Sequence, residues 1–163
     1  YRLPARAFHQ RRMGDCGVSI ATRSAYHDDQ GGAKRGENLI FVFQGEGFGA
    51  HLGDLGHVSG VDGLQNIDVL LVPIGGFYTI DTGAAIQVIE RVKPRIAIPM
   101  HFKTPCLDGN FPIADEARFC ALTGATRAKS ATLEITKENL TALRTPSCSP
   151  GRAFRTDTRL TNH

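Results

Sequence analysis

The sequence predicts an α/β fold in which helices lie against sheets, and three observations predict it. Apolar runs of strand length recur at 39–43, 67–74 and 95–100, each bounded by Gly, Pro or polar residues. Between the last two runs Gly75-Gly76 turns the chain, and Ala85, Val88, Ile89 and Val92 fall on one helical face, which gives a strand, a helix and a strand in succession. Residues with metal-ligand chemistry stand where runs stop: His51-Leu52-Gly53-Asp54-Leu55-Gly56-His57 follows one, and His101 follows Ile98-Pro99-Met100. In open α/β sheets the carboxyl ends of strands are where ligands collect.

Taken in order, 17–25 reads as a strand because Val18, Ile20 and Thr22 alternate with small or polar residues. The polar, glycine-rich stretch 27–38 reads as a loop, and 39–44 with 48–52 as a hairpin around Gly45-Glu46-Gly47. Residues 67–74 are apolar nearly throughout, as in a strand covered on both faces. A helix should begin near Asp81, whose carboxylate suits an N-cap, and end at Lys93-Pro94. The strand at 95–100 then lies parallel to 67–74 through a right-handed crossover. A weaker helix at 114–122, closed by Gly124, and a final edge strand at 131–136 complete one domain over 1–144. Residues 145–163 are rich in Pro, Ser, Gly, Arg and Thr without apolar periodicity, and read as a basic, flexible tail.

Carboxylates and neutral imidazoles suit zinc and other first-row divalent ions, and a catalytic site needs few of them plus an open position. His51, Asp54, His57 and His101 are four candidates. Singly, each has a plainer reading: an Asp near a Gly is often a turn residue, and a lone His is often a hydrogen-bonded structural one. As a set of strand-end residues they favour a metal site.

Four segments in order carry a resemblance: Tyr26-His27-Asp28 with Gly31-Gly32 and Arg35-Gly36-Glu37-Asn38, then His51 to His57, then Asp68 to Asp81, then Arg95 to Thr104. Together they resemble the metallo-β-lactamase-fold hydrolases, in particular the UlaG-like branch. The resemblance implies a four-layer αββα sandwich, and a metal-dependent hydrolase acting on a small-molecule ester, lactone or phosphoester through a metal-bound water. It implies one or two Zn2+ ions, or Mn2+, with His27 on the first metal, Asp54 bridging two and His101 completing the second. Asp54 and His57 are the implied catalytic residues, His51 lines the same pocket, and His57 or Lys103 would steady negative charge. Asp28 would orient His27 or, on the plainer reading, cap its own loop.

The His-x-His-x-Asp-His loop that supplies further ligands in that family stands nowhere in this sequence. The fold is therefore expected to be incomplete at its N-terminus and the site to be half a metal centre. Zinc should be weak or absent in the chain as given, and hydrolysis should require that the missing loop be supplied. The alternative is a non-catalytic truncated remnant, or a binding or oligomerisation domain of the same fold. Such a half-sandwich exposes apolar surface, which predicts a homo-oligomer.

Composition agrees with one globular domain: 163 residues, 41% hydrophobic and 21% charged. A formal charge of +3, with terminal arginines not interleaved with aromatics, argues against nucleic-acid binding, and the small-molecule substrate is what the resemblance implies. No long apolar stretch suggests a membrane span. Cys16, Cys106, Cys120 and Cys148 make no C-x-x-C pair, which suits a reducing compartment and a cytoplasmic protein.

Overall fold

The computed structural model describes residues 9–13, 17–45, 47–125, 132–136, 138 and 140. Its frame is a mixed six-stranded sheet whose spatial order follows the chain: β1 (His9–Met13), β2 (Val18–Tyr26), β3 (Glu37–Gln44), β4 (Phe48–His51), β5 (Val69–Pro73) and β6 (Ile96–Met100). β1 to β4 pair antiparallel, whereas β4, β5 and β6 pair parallel. Two antiparallel steps separate β2 from β4, so β2, β4, β5 and β6 all run the same way. Their carboxyl ends meet at one edge of the sheet.

The β5–helix–β6 unit forms as the sequence predicts. Helix α1 (Thr82–Val92) starts at Asp81, whose carboxylate accepts from the Ala84 amide at 2.8 Å. It stops where Lys93 turns left-handed before Pro94. Thr82, Ala85, Val88, Ile89 and Val92 are buried. They join a core with Ala25, Ile40, Ala50, Leu70 and Val72 from the strands, Leu55 and Val61 from the connection between β4 and β5, and Phe119 from the short α2 (Ala117–Thr123). Gly124 closes α2 in the left-handed conformation.

Side chains alternate across a strand, so this core uses only one face of the sheet. The register places Thr22, Phe41, His51, Leu71 and Ile98 on the other face. There Leu39 is 44% exposed and Phe41 37%. Of the two sheets in a four-layer sandwich, the described residues build one, with its helices on one side and an open apolar side opposite.

Two local expectations need correction. The edge strand expected at 131–136 does not form over its described residues, 132–136. Residues 9–13, which lie in the arginine-bearing start of the chain and for which the sequence predicts no element, form β1, which pairs with β2 through backbone groups that sequence polarity does not reveal. A 3-10 turn at Val58–Val61 was also not anticipated. The tail at 145–163 lies outside the described residues.

Truncation of the core should cost far more than loss of the helix cap. Leu70→Ala, at a fully buried site between two parallel strands, is expected to lower stability by about 2–5 kcal/mol. Asp81→Ala should lower it by about 1 kcal/mol. Urea unfolding followed by circular dichroism measures both.

Candidate functional site

At the shared strand edge the loops after β2, β4, β5 and β6 interlock. The His51–His57 loop is held by Asn38 at the start of β3. The Asn38 side-chain amide donates to the Leu52 carbonyl at 2.8 Å, and its oxygen accepts from the Asp54 amide at 2.9 Å. Asn38 is buried, so both ends of its amide need these partners. Gly56 donates to the Tyr26 carbonyl, and a Cβ on Gly56 would overlap the backbone of His27 and Asp28. The loop carrying Asp54 is thereby seated against the residue that follows β2.

On the other side, the Asp54 carboxylate meets His101 Nε2 at 3.1 Å. His101 itself is left-handed, with φ of 53°. Its carbonyl sits so close to Gly75 that any Cβ there would collide with it. The Ile74 amide donates to the Met100 carbonyl at 3.0 Å, and the Ile80 amide to the Leu55 carbonyl at 2.8 Å. These bonds tie the loop after β5 to both neighbours.

His51 joins this group electrostatically. Burial lowers its pKa, the charge of His101 lowers it further, and Asp54 partly opposes them. Its Nδ1 accepts from the Gly53 amide at 3.0 Å, which leaves the proton of the neutral ring on Nε2.

The structure thus brings Asp54 and His101 into contact, with His51 near enough to feel both charges, and seats the His27 backbone against Gly56, two residues along the loop from Asp54. His57 is engaged elsewhere. Its Nε2 accepts from the Tyr26 amide at 3.2 Å and its Nδ1 lies 3.0 Å from Ser59 Oγ, so the ring pins the end of β2. The Lys103 ammonium donates to the Gly109 carbonyl within its own loop.

Asp28 follows the plainer of its two readings. It is 3% exposed and accepts from four backbone amides, Gln30 and Gly32 on one oxygen and Lys34 and Arg35 on the other, at 2.8–2.9 Å. Burial alone would raise its pKa, yet the four amides hold it at about 2. Asn38 is the positioning residue that the sequence did not single out. Its partners lie 14 and 16 residues away, and no local pattern announces them.

A divalent cation fits these donors in kind but not in number. Carboxylate and imidazole are suitable ligands, and His27 Nε2 is buried without a hydrogen-bond partner, a nitrogen that calls for one. Among the described residues, however, no three His, Cys, Asp or Glu side chains gather closely enough to hold a metal ion.

Comparison with known proteins agrees with this architecture. Residues 9–101 match the family model described as the beta-lactamase superfamily domain. This chain belongs to that family, and its fold is of the metallo-β-lactamase type. It is similar to a UPF0173 metal-dependent hydrolase of Thermoplasma acidophilum, 36% identical over 110 residues, which cover 66% of this chain and 46% of that protein. A UPF0173 metal-dependent hydrolase of Nitratidesulfovibrio vulgaris is 34% identical over 132 residues, covering 75% and 54%. The crystal structure of a metallo-beta-lactamase superfamily protein from Thermotoga maritima superposes with a TM-score of 0.57 at 39% identity, covering 67% of this chain and 54% of that one. The chain spans about half the length of these relatives. Among the described residues no helix is long and apolar enough to cross a membrane.

The depressed Asp28 pKa gives a signed prediction. A carboxylate whose folded pKa lies below its unfolded value of about 3.9 stabilises the fold above that value and loses the effect as pH falls toward 2. Asp28→Asn should therefore melt below the wild type at pH 7, and the gap should narrow between about pH 4 and 2. Thermal melts across that range measure it.

Proposed function

We propose that this chain carries the reacting edge of a metal-dependent hydrolase acting on a small-molecule ester, lactone or phosphoester. The observation that carries this reading is the 3.1 Å contact of Asp54 with His101 at an edge where four strand ends meet. Their side chains are 52% and 45% exposed, so the pair contributes at most about 1 kcal/mol to stability. The same exposure leaves both groups within reach of a substrate. A divalent cation would supply Lewis-acid chemistry at this edge.

The chain's own residues supply positioning and proton transfer. With Nε2–H of His101 facing the Asp54 carboxylate, the lone pair of the neutral ring sits on Nδ1. From there it can take a proton from an attacking water or return one to a leaving oxygen. Asn38 and Gly75 hold the two partners in place. His57 acts through the fold, by fixing the end of β2 next to His27.

Two lesser readings accompany this one. Cys106 and Cys120 are free thiols, which supports a reducing, cytoplasmic setting. A non-catalytic binding or oligomerisation domain is favoured by one observation, the open apolar side that carries Leu39 and Phe41.

Hydrolysis of chromogenic ester, lactone and phosphodiester substrates in millimolar Zn2+ or Mn2+ separates the readings. The hydrolase reading expects metal-dependent turnover that falls about 100-fold or more in Asp54→Ala and in His101→Ala. Metal binding itself should be weak, because two gathered donors are too few. No turnover at any metal concentration, combined with a dimer in the ultracentrifuge that Phe41→Lys dissociates, would establish the second reading.

A further inference from the structure

Three aromatic side chains crowd the rim of the same edge, although nothing in the core needs them. Phe77 is 61% exposed, Tyr78 39% and Phe111 38%. Phe77 packs edge-on against Tyr78 with ring centres 4.7 Å apart, and Tyr78 lies 5.8 Å from Phe111 at a shallow angle. The Arg35 guanidinium rests over the other part of this group, 5.6 Å from the centre of the Tyr78 ring. Among the described residues Arg35 has no ion-pair partner. Contiguous exposed aromatics on a folded domain mark a surface that meets something.

The rim is continuous with the reacting edge. Phe77 and Tyr78 stand in the loop after β5, whose Gly75 abuts the His101 carbonyl and whose Ile80 donates to Leu55, the neighbour of Asp54. Phe111 stands in the loop after His101, which returns to the same place through the Ala114 amide and the Gly75 carbonyl, 2.8 Å apart. Arg35 ends the loop that begins at His27, and its own amide is one of the four held by Asp28. Three of the four loops at this edge, those after β2, β5 and β6, each bring one part of the rim. Phe77 also adopts a left-handed backbone, φ 50°, a conformation that a bulky residue rarely takes.

We propose that Phe77, Tyr78, Phe111 and Arg35 form the substrate-recognition rim of this site, selecting a small molecule with a planar apolar group and a nearby negative charge. The ring faces supply a platform for the planar group, and the guanidinium, already oriented over Tyr78, supplies the countercharge. The proposal rests on the reading of the Asp54–His101 edge as the reacting one.

The test measures binding and turnover separately. Binding of 2-naphthalenesulfonate is followed by its fluorescence, on a protein that contains no Trp. Tyr78→Ala, Phe111→Ala and Arg35→Gln should each weaken it about fivefold or more. Tyr78→Phe should retain it, and Phe48→Ala, a similarly exposed Phe at the opposite strand edge, should leave it unchanged. In metal-supplemented assays Tyr78→Ala should raise KM for a naphthyl ester while leaving the matched ethyl ester alone. Equal probe binding by the wild type and the three rim variants would overturn the proposal. So would equal binding of a naphthyl ammonium cation, or rim variants that dissociate an oligomer without changing probe affinity. If neither ester is turned over, KM is not read and the probe binding alone decides the rim.

Discussion

The common direction of β2, β4, β5 and β6 is the constraint on which the rest depends. Side chains distant in sequence can share a site only if the strands that carry them end at the same edge. Two antiparallel pairings followed by two parallel ones achieve this. Asn38, at the amino end of the one intervening strand that runs the other way, then reaches the loop after β4 and fixes Asp54 by its backbone amide. A shift of β3 by one residue would turn Asn38 to the opposite face and release the loop.

The site is built mainly from backbone contacts. Gly56 lets one loop approach His27, Gly75 lets another approach the His101 carbonyl, and Asp28 gathers four amides of the intervening loop. Buried polar groups satisfied on every side rigidify the segments they join. The side chains proposed to react contribute little to stability. Asp54 and His101 are half exposed, and His27 keeps a buried nitrogen without a partner. Stability resides in the core under α1 and the proposed chemistry at the strand edge, so substitutions at the two should separate cleanly in measurement.

What the sequence disclosed follows from where each signal lies. α1 was legible because its cap, its apolar spacing and its stop are all local: Asp81, then Val88 and Ile89, then Lys93-Pro94. β5 and β6 were legible because their residues are apolar on both faces, although the core covers only one of them. β1 was not, since an edge strand is held by backbone pairing that Arg11 and Arg12 do not disturb. The segment 132–136 reads as part of an edge strand, but among the described residues no strand pairs with it, and without pairing there is no ladder. In the site, Asp54 and His101 were found as residue types at strand ends. The attachment of His57 to Tyr26 and the clamp of Asn38 depend on tertiary neighbours 31 and 14–16 residues away.

The proposal that Asp54 and His101, with the His27 segment seated beside them, form one reacting edge is tested most directly by paramagnetic broadening in a 15N-labelled sample titrated with substoichiometric Mn2+. Weak, fast-exchanging binding suits this measurement, because each visit of the ion broadens nearby amides. The structure predicts early loss of signals from His27, Gly53 to Gly56, Gly75 and His101 to Phe102, whose backbones interlock at this edge. Amides around Gly47, Asp68 and Arg95, at the opposite ends of β4 to β6, should stay sharp. Broadening of the Asp54 and His101 segments without that of His27, or broadening centred on Asp68, would contradict the account.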